Sequence, residues 1–145
     1  MSTDEPADGV ALCLSGGGYR AMLFHVGVVW RLHDAGWLQR LDRISSVSGG
    51  SIAAGALALA WPRLEAEGIE SSFVAPVRAL AGRTVDATSV IAGALTSATI
   101  SERVAQAYRR HLFGDATLQD LPDAPRFVIN ATSVQSGALF RNPCR

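Results

Sequence analysis

Arg43-Ile44-Ser45-Ser46-Val47-Ser48-Gly49-Gly50-Ser51 is the stretch that decides the fold. Arg43–Val47 is short, rich in β-formers and ends on small residues, so it reads as a strand. Ser51 to Ala60 is nearly all apolar, reads as a buried helix, and stops at Pro62. Ser48 therefore stands on a sharp turn between a strand and a helix. Such a turn lifts a hydroxyl above the edge of a sheet and aims the next helix's N–H groups at whatever it attacks. The flanks must be small, because the backbone is strained there and a substrate comes close. Ser46, Gly49 and Gly50 meet that need. The pattern is a near match to the nucleophile elbow, with Ser46 where a glycine is usual. The competing role for Ser48 is an ordinary helix N-cap.

A second turn shifts the balance toward a nucleophile. Val10–Leu14 reads as a buried strand, Ser15-Gly16-Gly17-Gly18 follows at once, and a helix runs from Tyr19 to about Trp37, with Gly36 as its stop signal. Adjacent glycines at a strand end let successive N–H groups converge on one point and form an anion-binding nest. A tetrahedral oxyanion needs such donors, and losing one typically costs about 3–4 kcal/mol of transition-state stabilisation. The order strand, helix, strand, helix predicts a parallel βαβ unit with a right-handed crossover.

Ser15-Gly16-Gly17-Gly18-Tyr19-Arg20-Ala21, with Val47-Ser48-Gly49-Gly50-Ser51, resembles the N-terminal portion of a patatin-like phospholipase domain. Leu121-Pro122 and Phe127-Val128-Ile129-Asn130-Ala131-Thr132 resemble a downstream strand of that family, so the likeness runs from Val10 to about Phe140. The resemblance implies a three-layer αβα domain with a mainly parallel sheet, and hydrolysis of lipid acyl esters by a Ser–Asp dyad. Matched by position, Ser48 is the nucleophile, and Gly16, Gly17, Gly18 and Gly49 supply the oxyanion hole. Arg20 is the basic residue of the loop. The family aspartate lies in an Asp-Gly-Gly or Asp-Gly-Ala segment. Here the only Asp-Gly pair is Asp8-Gly9, ahead of the first strand, while Asp86, Asp115, Asp120 and Asp123 lack the glycine. The expectation is a flexible leader over residues 1–9 and a domain over 10–145 that is incomplete at its C-terminus, inactive alone, with its aspartate beyond Arg145. If the base lay within the chain, those four aspartates and His25 would be the candidates.

Other classes fare worse. Gly16-Gly17-Gly18-Tyr19-Arg20-Ala21 also fits a dinucleotide fingerprint, but the second strand ends on Ser48-Gly49 and lacks the acid that binds a ribose. A non-catalytic lipid-binding or scaffold module is the stronger alternative. The 145 residues carry a formal net charge of zero, which gives no electrostatic case for nucleic acid or for an anionic membrane surface. The acidic N-terminus lacks the basic start and apolar run of a secretion signal. The longest apolar run, Ile52 to Trp61, is well short of the ~20 residues that span a bilayer. Cys13, in a strand read as buried, and Cys144 are read as unpaired structural thiols. Together these point to the cytoplasm, with a lipid or other acyl ester as substrate and at most peripheral contact with a membrane. His25, His33 and His111 fall inside helices without metal-ligand spacing, so no metal or cofactor is expected. Farther on, Ser71–Leu80 reads as a helix interrupted near Pro76, and Thr84–Thr99 shows no clean period. Ser101–His111 reads as a helix, Leu118–Pro125 as a loop, Arg126–Thr132 as a third strand and Ala138–Phe140 as its hairpin partner.

Overall fold

The structure is a computed structural model that describes residues 8–82, 100–133 and 135–143. The leader before Asp8, the Thr84–Thr99 stretch, Asp86 and Cys144 lie outside the described residues. The elements are β1 (Ala11–Leu14), α1 (Gly18–Asp34), β2 (Arg43–Val47), α2 (Gly49–Ala60), α3 (Leu64–Glu67), α4 (Ala75–Ala81), α5 (Ile100–Tyr108), β3 (Arg126–Thr132) and β4 (Leu139–Pro143). The sheet order is β1-β2-β3-β4, with β1, β2 and β3 parallel and β4 antiparallel to β3. This is the α/β architecture with a mainly parallel sheet that the sequence predicts.

Register explains how the sheet is covered. Leu14 pairs with Ser46 and Ser46 with Ile129, while Leu12 pairs with Ile44 and Ile44 with Phe127. Partners in a ladder point to the same face. Leu14, Ile44, Ser46 and Phe127 are all buried, and they meet the inward residues of the helices. Consecutive parallel strands joined by right-handed crossovers bring both connecting helices to one side of the sheet. The alternate residues Ala11, Cys13, Arg43, Val47 and Arg126 lie on the other face and are exposed. Cys13 is thus not buried, as the sequence reading had it. Strand alternation sends it to the opposite side from Leu12 and Leu14.

α1 buries Met22, His25, Val26 and Val29, spaced i, i+3, i+4, i+7 along one stripe. It stops at Asp34, before the expected Trp37. Gly36 adopts φ 70°, the Gly36 N–H donates to the His33 carbonyl at 2.9 Å, and the Trp37 N–H donates to the Leu32 carbonyl at 2.8 Å. That pairing is a Schellman stop. α2 is buried almost all round, from Gly49 and Gly50 through Ala53–Ala58 to Ala60. Its small side chains let it sit between α1 and the sheet. Pro76 does not interrupt its helix. The preceding turn, Glu70–Val74, is a π-type turn that runs straight into α4, and its wider winding makes room for the Pro76 ring, which has no N–H to give the helix. Leu38, Phe73, Val77, Leu80 and Phe127 complete the core. Truncating a buried aromatic such as Phe127 to alanine typically costs about 3–5 kcal/mol. Among the described residues no helix is long and apolar enough to cross a membrane.

Candidate active site

The C-terminal ends of β1 and β2 carry the two glycine turns side by side. β2 ends at Val47 and α2 starts at Gly49, so a single residue makes the whole reversal. That residue, Ser48, has φ 53° and ψ −123°, and is the only non-glycine with positive φ among the described residues. A side chain held there costs on the order of 1–3 kcal/mol. Ser48 is exposed, and its hydroxyl makes no capping hydrogen bond to α2. Its carbonyl instead starts the helix, accepting from Ser51 N–H at 2.8 Å and Ile52 N–H at 3.3 Å. The N-cap role that competed for this serine is therefore not taken up by its side chain. The hydroxyl is free at the tip of the turn, with the first N–H groups of α2 behind it.

Glycine is needed here because two backbones touch. A Cβ on Gly16 would lie 3.2 Å from the Ser48 Cβ and 3.7 Å from its Oγ. A Cβ on Gly49 would collide with the Gly18 carbonyl oxygen, and one on Gly50 with the Leu14 carbonyl oxygen. Gly17 and Gly18 hold φ 135° and 62°, a region that side chains disfavour. The structure thus sets Gly16 against Ser48 and Gly18 against Gly49. Arg20 lies in the first turn of α1 and is exposed.

Two supports have roles that the sequence did not show: Asn130, and His25, which the sequence offered only as a candidate base. Asn130, opposite Val47 in the ladder, donates from Nδ2 to the Ser45 hydroxyl at 3.0 Å and the Ser46 carbonyl at 3.1 Å. It fixes the last residues of β2 just before the elbow. An asparagine inside a strand is disfavoured by propensity, and that was the available signal. His25 is 4% exposed, and its Nε2 donates to the Ser15 carbonyl at 2.9 Å, with the Ser15 hydroxyl 3.4 Å away. A carbonyl only accepts, so that nitrogen carries a proton and is not a free base. The signal that could have placed this histidine on the inward face is its i, i+3 spacing from Met22 and its place beside Val26.

Two of the candidate aspartates, Asp115 and Asp120, are engaged in local pairs. Asp8-Gly9 precedes β1 at the N-terminal edge of the sheet, where Gly9 packs on Asp42 and the Asp42 carboxylate accepts from Val10 N–H at 2.7 Å. The length of β2 separates this edge from Ser48, roughly 13–16 Å at the usual rise of a strand. Asp115 accepts from Arg109 Nε at 2.6 Å. Asp120 accepts from the Thr117 N–H at 2.7 Å and the Thr117 hydroxyl at 2.9 Å. These two bonds, the backbone one first, hold its carboxyl below the ordinary carboxylate range. Asp123 lies in the turn that enters β3.

Beside the elbow lies a cavity of about 380 Å³. Ile52, Gly55 and Leu59 of α2 form one wall, and Phe113, Leu121 and Ile129 line the rest. The α2 residues fall at i, i+3, i+7, one stripe that starts a turn beyond Ser48. The volume is in the usual range for small-molecule sites, about 300–1,000 Å³.

No curated protein and no solved structure matches the chain. Residues 12–143, the span that holds both glycine turns, Asn130 and the cavity, match the model of the patatin-like phospholipases, and the chain belongs to that family.

Proposed function

We propose that this chain carries the nucleophile and the oxyanion donors of a serine hydrolase for lipid acyl esters, acting from the cytoplasm on substrate at a membrane surface. The observation that carries the reading is Ser48 itself: an exposed hydroxyl on a strained turn, without a capping bond, against Gly16. In the first step Ser48 Oγ attacks the ester carbonyl and its proton passes to a base. The carbonyl oxygen becomes an oxyanion that accepts from N–H groups of Gly16–Gly18 and of Gly49. Collapse breaks the bond to the alcohol, which leaves with the proton, and an acyl-Ser48 remains. Water, giving its proton to the same base, then releases the acid and restores Ser48. The apolar cavity along α2 is suited to the acyl chain, which gains about 0.8 kcal/mol per buried methylene.

The base in this reading is the family's aspartate, and no Asp-Gly-Gly or Asp-Gly-Ala occurs in the 145 residues. A serine hydroxyl without a positioned base is a weak nucleophile, so these residues alone should hydrolyse esters poorly. The distance of Asp8-Gly9 from the elbow, and the pairing of Asp115 with Arg109 and of Asp120 with Thr117, also favour a second reading, a lipid-binding module without turnover. A fluorophosphonate probe separates the two. It should label wild type and Ser51→Ala but not Ser48→Ala. Undiminished labelling of Ser48→Ala removes Ser48 from the mechanism, and no labelling of wild type favours the binding module.

A further inference from the structure

We infer that His25 is a positioning residue for the oxyanion loop: it locks the Ser15–Gly16 peptide so that an N–H, not a carbonyl, is presented at Ser48. The inference rests on the proposed function and adds to it a residue outside the glycine turns.

Peptide geometry links the two ends of this contact. The Ser15 carbonyl and the Gly16 N–H belong to one planar, trans unit, so they point in opposite directions. His25 Nε2 holds the carbonyl at 2.9 Å from within α1, on the helix face that packs into the core. With the carbonyl drawn toward the core side of the loop, the Gly16 N–H is turned to the opposite side. Gly16 is also the glycine whose missing Cβ would stand 3.2 Å from the Ser48 Cβ. The tether therefore selects which end of a peptide dipole is available beside the nucleophile.

Such a lock is needed at this place in the chain. Glycine accepts either orientation of its flanking peptide at little steric cost, and Gly16, Gly17 and Gly18 stand in a row. A flip of the Ser15–Gly16 plane would replace a donor with a carbonyl oxygen, which repels a developing oxyanion. The loop cannot resist that flip with side chains of its own. His25 supplies the restraint from two turns along the helix that the loop itself begins. The packing of His25 in the core holds its ring in place under the Ser15 carbonyl.

The test compares His25→Gln, His25→Asn and His25→Met. The glutamine amide nitrogen reaches about as far as Nε2, the asparagine amide falls short, and methionine fills the space without a donor. Gln and Asn bury the same polar group, so they separate reach from the cost of burial. Melting curves identify the folded variants, and a short-chain ester gives kcat and KM. His25→Asn and His25→Met should lower kcat by on the order of 10²-fold, the effect of one lost oxyanion donor, with KM within a few-fold of wild type. His25→Gln should recover most of kcat. If His25→Met destabilises too far to assay, the Gln and Asn pair decides alone. Wild-type kcat in His25→Asn or His25→Met, or Gln and Asn impaired alike, overturns the inference. If Ser48→Ala retains full turnover the proposed function fails instead, so the two failures are distinct.

Discussion

Replacing Ser48 with glycine should make the protein more stable, while replacing it with alanine should not. Ser48 sits at φ 53° and ψ −123°, where a Cβ is strained by roughly 1–3 kcal/mol. Glycine removes that strain but loses more backbone entropy on folding, about 0.5–1 kcal/mol. The net gain is on the order of 0.5–2 kcal/mol. In a chain of this size each kcal/mol moves Tm by roughly 2–4 °C. Alanine keeps the Cβ and hence the strain, losing only a hydroxyl that makes no capping bond. Its stability should stay within about 0.5 kcal/mol of wild type, the usual range for an exposed site. If the hydroxyl did cap α2, Ser48→Ala would instead cost about 0.5–2 kcal/mol. Urea melts followed by circular dichroism measure all three proteins, and the midpoint should move for glycine alone with an unchanged slope. Equal midpoints for Ser48→Gly and Ser48→Ala would show that the turn is not strained, and the case for an elbow would lose its physical basis.

Gly17→Val should cut turnover by on the order of 10²-fold or more, because Gly17 at φ 135° cannot hold a branched side chain without displacing its N–H. A wild-type rate on a short-chain ester in a folded variant would give the loop another role. Asp120 predicts a small acid effect, since Thr117 N–H and then the Thr117 hydroxyl depress its pKa in the folded state from 3.8. Its stabilising contribution is complete above that unfolded-state value and is lost as pH falls through the lower folded one. The gap in urea midpoint between wild type and Asp120→Asn should therefore close on acidification below about pH 4, and a gap constant with pH would refute the link.

The parts of this fold that could be read from sequence are those set by local chemistry. β1, β2 and β3 announce themselves as short apolar runs, and the turns after Leu14 and Val47 as glycine clusters. The end of α1 was misplaced because Gly36 acts through a Schellman pairing that closes the helix before the glycine. Pro76 looked like an interruption, yet a widened turn before it lets the helix pass. Cys13 was read as buried because its strand is apolar throughout. Only the register with β2 shows which residues face the helices. The roles of Asn130 and His25 escape the sequence for a common reason. Each acts through a backbone carbonyl brought near by the fold: Ser46 across the sheet for Asn130, and Ser15 across the loop for His25. Neither partner is visible in spacing, so His25 stands in the sequence only as a candidate base.

Those backbone contacts also explain why one departure from the elbow pattern is tolerated where others would not be. Ser46 occupies a position where glycine is usual. It points to the helix-covered face, and its hydroxyl finds the Val128 carbonyl at 3.4 Å, so a hydroxymethyl fits without displacing α2. Gly49 and Gly50 have no such room. Their missing side chains face the carbonyl oxygens of Gly18 and Leu14 in the neighbouring turn, which cannot rotate aside as a side chain could. The two turns therefore fit together through main chain alone. Moving either one would move the donors and the nucleophile relative to each other, and misplacement by ~1 Å is enough to cost catalysis about 10²-fold. On this account Gly16, Gly49 and Gly50 serve close approach, Gly17 and Gly18 serve positive φ, and Ser46 only has to be small.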